Sequence, residues 1–136
     1  MKSEELVSAA KEMLDQAYVP YSKFPVGAVL LTKNGKLYKG CNIENAAYPV
    51  ACCAERVAIF KAISEGEREF EALAVIANTK RPVPPCGSCR QVMSEFFDQD
   101  MKVIISNKDM ETQETSVQEL LPFSFDPQDL MDGQEK

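Results

Sequence analysis

Two short segments hold the residues best suited to chemistry: Cys53-Ala-Glu55-Arg56 and Pro85-Cys86-Gly-Ser-Cys89-Arg90. Each opens a stretch with helical patterning, so its cysteines fall in a first helical turn. There, unpaired N–H groups and the positive end of the helix dipole favour thiolate over thiol. If the two helix starts converge, Cys53, Cys86 and Cys89 bring three thiolates to one point, and these repel one another unless a divalent cation sits between them. Zinc suits such a soft, tetrahedral donor set, and three protein ligands instead of four leave a position for water. Glu55 is then placed to take a proton from a water whose pKa zinc lowers to roughly 7, and to hand it onward. Three thiolates more than cancel the charge of Zn²⁺. Arg56 is therefore expected to donate to the sulfurs and draw the excess back, tuning the metal from behind its ligands.

Composition narrows the field further. The 136 residues include no histidine, so no imidazole can bind a metal, relay a proton or complete a Ser/His or Cys/His pair. Lys and Arg number 15 against 21 Asp and Glu, a formal charge of −6, which argues against nucleic acid as a partner. The five cysteines are Cys41, Cys52, Cys53, Cys86 and Cys89. An odd count and no apolar signal core after Met1-Lys2-Ser3 point to reduced thiols and a cytoplasmic location. Apolar runs such as 26–31 are too short to span a bilayer, so no membrane partner is expected.

The elements that must position these residues read as follows. Ser3 is an N-cap candidate for a helix over about 4–16. Pro20 and Pro25 bracket a loop. Val26–Thr32 is a buried strand, Asn34-Gly35 a tight turn, and 36–43 the returning strand of a hairpin. A second helix spans about 53–65, with Val57, Phe60 and Ile63 as its apolar face and Gly66 as its stop. A strand at 73–77 and a rigid Pro82-Val-Pro84-Pro85 connection feed a third helix at about 87–98, faced by Val92, Met93, Phe96 and Phe97. Strands at 103–106 and 114–117, a short helix at 117–121 and a loosely patterned acidic tail complete the chain. This order predicts an α/β fold, a three-layer α/β/α sandwich with a mixed sheet of about five strands, in one domain over 1–136.

The Cys53-x-Glu55 and Pro85-Cys86-x-x-Cys89 pair resembles the signature of the zinc-dependent nucleoside deaminases, and within them the cytidine-directed branch. That resemblance implies one zinc per subunit on Cys53, Cys86 and Cys89, with Glu55 as the acid/base in hydrolytic deamination of cytidine and 2′-deoxycytidine, a pyrimidine-salvage reaction. It implies that the backbone at Ala54 and Cys86 meets the pyrimidine edge. Pro20-Tyr-Ser-Lys-Phe24-Pro-Val-Gly-Ala28 resembles the family loop whose phenylalanine, here Phe24, packs on the base. Asn42-Ile-Glu44-Asn resembles its ribose-binding segment. Residues two apart in a strand share a face, so Asn42 and Glu44 can both reach one sugar hydroxyl pair. Leu120-Leu-Pro122-Phe-Ser-Phe125 resembles the tail segment, in which a phenylalanine, taken here as Phe125 and not Phe123, closes a neighbouring subunit's site. Ala46 and Tyr48 are further candidates to reach a neighbour. The implied assembly is a homotetramer whose active sites are completed across subunits.

Without the motif these residues have ordinary roles: Phe24 and Phe125 as core, Asn42 and Glu44 as a solvated strand end, Arg56 as a surface helix charge. Two rival functions stay open. One is a sister deaminase acting on a blasticidin-type cytosine nucleoside antibiotic. The other is a non-catalytic zinc module in which Cys41 or Cys52 adds a fourth ligand and Glu55 has no role.

Overall fold

The computed structural model describes residues 1–134. In chain order it contains α1 (Ser3–Glu12), a 3-10 turn at Met13–Gln16, β1 (Val26–Thr32), β2 (Leu37–Cys41), a 3-10 turn at Tyr48–Val50 and α2 (Ala54–Ser64). There follow β3 (Phe70–Ala77), α3 (Gly87–Phe96), β4 (Lys102–Ser106), β5 (Thr112–Ser116), α4 (Val117–Leu120) and α5 (Pro127–Gln134). The five strands form one sheet in the order β2-β1-β3-β4-β5. β1 runs antiparallel to β2 and β3, β3 runs parallel to β4 through the α3 crossover, and β5 returns antiparallel to β4. The sheet is thus mixed, as the element order predicts.

Both faces of this sheet are covered, and strand alternation sorts the residues between them. Ala28, Leu30, Leu73, Val75, Val103 and Ile105 meet α2 and α3 in one core. Val29, Leu31, Ala72, Ala74, Ile76 and Ile104 meet Leu6, Val7 and Ala10 of α1 in the other. Three layers result. β2 and β5 are the sheet edges, and β5 is the polar one, a Thr-Gln-Glu-Thr-Ser run with little apolar surface to offer a stray strand.

Several local expectations need correction. The N-cap of α1 is Lys2, not Ser3: the Glu5 carboxylate accepts the Lys2 N–H at 3.1 Å, and the Ser3 hydroxyl instead reaches Glu114 at 3.2 Å. The returning hairpin strand ends at Cys41, because Ile43 leaves β1 to pair with Tyr18 on one side and Cys52 on the other. On α2 the apolar face is not Val57, Phe60 and Ile63. Ala54, Ala58, Ile59 and Ala62 are buried, whereas Phe60 is 45% exposed. The cause is close approach to β2. A Cβ at Gly40 would lie 2.4 Å from the Ala54 carbonyl oxygen and 3.1 Å from the Ala58 Cβ, so only small residues fit between helix and strand.

Other boundaries shift less. β3 starts at Phe70, earlier than expected, and α3 ends at Phe96, because Phe97 turns extended to place its ring edge-on against Phe70 with centroids 5.2 Å apart. The tail is not patternless, since it carries α5. Asp126 and Asp129 cap this helix by accepting the Gln128 and Asp126 N–H groups, yet none of its residues is buried. The stop at Gly66 is a left-handed residue at φ +93°, and the following N–H of Glu67 closes on the Ala62 carbonyl. No helix among the described residues is long and apolar enough to cross a membrane.

Candidate metal centre and active-site cavity

Cys53 is the N-cap of α2 and Cys86 the N-cap of α3; both have extended backbone, and neither caps its helix with its own sulfur. Cys89 follows in the first turn of α3 and is fully buried. The chain enters each helix from the same side, so the Sγ atoms meet: Cys53 to Cys86 at 3.7 Å and Cys86 to Cys89 at 3.4 Å, with all three inside 4.8 Å. Tetrahedral zinc with Zn–S near 2.3 Å holds its sulfurs roughly 3.8 Å apart. The donor set therefore fits zinc in number, type and spacing. Neither Cys41 nor Cys52 belongs to this group among the described residues.

Electrostatics agree with that fit. A hydrogen bond from Cys89 and another from Arg56 bring the Cys53 thiol down to about 5, against some opposition from burial. Cys89 is pushed up because it donates to Cys53 and is buried. A divalent cation would hold all three sulfurs as thiolates. Arg56 donates from Nη2 to Cys53 Sγ at 3.4 Å, while its buried Nε has no protein partner. Glu55, one position after Ala54 and only 4% exposed, is raised to about 7, mainly by burial and then by the neighbouring Cys53 charge.

A cavity of about 250 Å³ opens beside the sulfurs and is walled by Cys53, Ala54, Glu55, Cys86, Phe24 and Asn42, with Val26, Val75, Ala77, Val83, Pro84 and Pro85 completing it. Asn42 acts as a staple: its Oδ1 accepts the Val26 N–H at 2.9 Å and its Nδ2 donates to the Phe24 carbonyl at 2.8 Å. Phe24 is 44% exposed at the rim. Glu44 lines a separate cavity of about 370 Å³ with Tyr21, Ser22, Asn45, Tyr48 and Ala51. Its Oε1 accepts the N–H groups of Tyr21 and Ser22, both at 3.1 Å, and the Ser22 hydroxyl and N–H hold the carboxyl below the usual range.

The structure thus brings Cys53, Cys86, Cys89, Ala54, Glu55, Arg56, Phe24 and Asn42 to one place. Glu44 lines the adjoining cavity, its carboxylate held by the Tyr21 and Ser22 N–H groups, while Ile43 between it and Asn42 pairs with Tyr18 and Cys52. Phe125 is 60% exposed and does not line the cavity; its carbonyl accepts from Gln91 Nε2 at 3.0 Å. Sequence reasoning read Val75 and Ala77 only as strand core and overlooked Arg90, whose guanidinium holds the loop before Cys86. The available signal was its place directly after the last cysteine.

Comparison with known proteins agrees with this architecture. The family described as "Cytidine and deoxycytidylate deaminase zinc-binding region" matches residues 1–106. A cytidine deaminase of Sporosarcina psychrophila is 54% identical over 130 residues, 96% of each chain. One from Halalkalibacterium halodurans is 52% identical over 132 residues, 97% of this chain and all of the relative. A crystal structure of cytidine deaminase from Burkholderia pseudomallei superposes with a TM-score of 0.90 at 46% identity, covering 92% of this chain and 100% of that one. By fold, by the spacing of its sulfur donors and by kinship along nearly its whole length, this chain belongs to the cytidine and deoxycytidylate deaminase zinc-binding family.

Proposed function

We propose that this chain catalyses hydrolytic deamination of cytidine and 2′-deoxycytidine, giving uridine or 2′-deoxyuridine and ammonia. The observation that carries this reading is a buried carboxylate, Glu55, in the same cavity as two of three sulfurs spaced for zinc. Cys53, Cys86 and Cys89 hold the metal, which supplies the Lewis acidity that makes water nucleophilic near neutral pH. Glu55 takes the proton released as water adds to C4 of the ring and delivers it to ring N3; it then takes the proton of the new C4 hydroxyl and passes it to the departing amine, so that C4=O forms as ammonia leaves. Its raised pKa suits a group that must both accept and donate a proton near pH 7. Arg56 offsets the surplus thiolate charge and preserves that Lewis acidity. Ala54 and Cys86 offer backbone groups to the pyrimidine edge, Phe24 a ring to its face, and Asn42 a polar rim for the sugar.

The reading extends to the assembly. Glu44 in the adjoining cavity engages the ribose, and Phe125, exposed on its own subunit, closes the site of a neighbour in a homotetramer. Exposed Tyr18, Tyr48, Val50 and Phe60 supply apolar surface for such contacts. Residues 1–136 act as one catalytic unit, in a reducing cytoplasm where metal-binding thiols persist, with pyrimidine salvage as the role.

The test combines zinc analysis of the purified protein with ultraviolet assays on cytidine, 2′-deoxycytidine, cytosine, deoxycytidylate and blasticidin. One zinc per chain and turnover of the two nucleosides are expected. Turnover of blasticidin alone, or none with zinc fully loaded, overturns the reading.

A further inference from the structure

We propose that Arg90 is the positioning residue that aims the Cys86 N–H into the active-site cavity. The Arg90 guanidinium grips the carbonyl of this amide, its Nε donating to the Pro85 oxygen at 2.8 Å, while the Arg90 backbone N–H makes the ordinary first-turn helix bond to the Cys86 oxygen at 3.1 Å. No peptide bond among the described residues is cis, so the Cys86 N–H points opposite to the Pro85 carbonyl. It therefore points away from the guanidinium. Pro85 and Cys86 both line the cavity that holds Glu55, and Arg90 does not. The Cys86 N–H meets no protein acceptor among the described residues, which leaves it available to a ligand.

A second prong makes the arrangement specific to arginine. Nη1 donates at 2.8 Å to the carbonyl of buried Leu120, the last residue of α4. The guanidinium is thus pinned between two carbonyls from distant parts of the chain, and its plane sets that of the 85–86 peptide. A lysine ammonium has its three donors on one nitrogen and lacks the planar fork that reaches both carbonyls at once and fixes a plane.

The inference rests on the deaminase reading, and its test separates the two. Zinc-loaded wild type, Arg90→Lys and Arg90→Gln are compared for zinc content, for kcat and KM on cytidine, and for the ¹⁵N–¹H resonance of Cys86. Expected in both variants are one zinc per chain, KM within about threefold, a shifted Cys86 amide resonance and kcat lower by about 10–100-fold, the scale of a misaimed group. Arg90→Lys, the better folded, loses less. A Cys86 resonance that stays in place, or kcat per zinc-loaded chain within twofold of wild type, overturns the proposal even if the melting temperature drops. An inactive wild type would instead count against the deaminase reading, while the amide resonance still decides the role of Arg90.

Discussion

Glu55 and Cys89 are almost wholly buried, while Phe24, Tyr48 and Phe125 stand 44%, 72% and 60% exposed. The first pair hangs from helix starts pressed onto the sheet by core packing on both helices. The aromatics ride on loops and the tail, held by backbone hydrogen bonds and a few side-chain staples. The difference separates a reacting centre finished within one chain from a recognition rim left open. Metal and proton chemistry tolerate little displacement and so sit on rigid elements. The rim, by contrast, leaves large aromatic side chains exposed.

The largest effect that sharpens this contrast lies at the metal. Cys89→Ala should lose most of its zinc and all measurable deamination, read by metal analysis and ultraviolet assay. Retained zinc would show that the buried half is not what holds it. Glu55→Gln should keep zinc and fold but lose about 10²–10⁴-fold in kcat. Gly40→Ala should lower stability by about 1–3 kcal/mol in denaturant titration, because the new methyl meets the Ala54 carbonyl and displaces the start of α2. Asn42→Ala should cost about 1–3 kcal/mol by leaving the Val26 N–H without its partner, and should raise KM as the Phe24 loop loosens. Phe125→Ala should change stability by no more than about 0.5 kcal/mol yet raise KM. An unchanged KM would remove Phe125 from the rim and break the contrast on its open side.

The reacting centre was far more legible in the sequence than the rim, and particular residues show why. Cys53 and Glu55 lie two positions apart on one helix start, and Cys86 and Cys89 three apart on another, so each half of the centre is set by local geometry. The unbroken apolar run Leu73–Ala77 likewise announced a strand. The α2 face was misread because Val57 and Phe60 are more apolar than alanine, whereas burial there is governed by the approach of Gly40, a partner fourteen positions from Ala54. Ile43, between Asn42 and Glu44, pairs with Tyr18 and Cys52, but the hold of the Tyr21 and Ser22 N–H groups on the Glu44 carboxylate is a loop contact that strand periodicity does not reveal.

Residue type and spacing by themselves determined the chemistry available here: thiolate donors, a carboxylate beside them, no imidazole. They also determined the order of helices and strands, because hydrophobic period is a local property of the chain. Only the tertiary structure decided that two helix starts would meet within bonding distance of one ion. It also decided which helix face would be buried, and that Arg90 would reach back to Pro85 and across to Leu120. Those outcomes depend on packing between segments far apart in sequence, where a gap of one methyl group is enough to choose the winner.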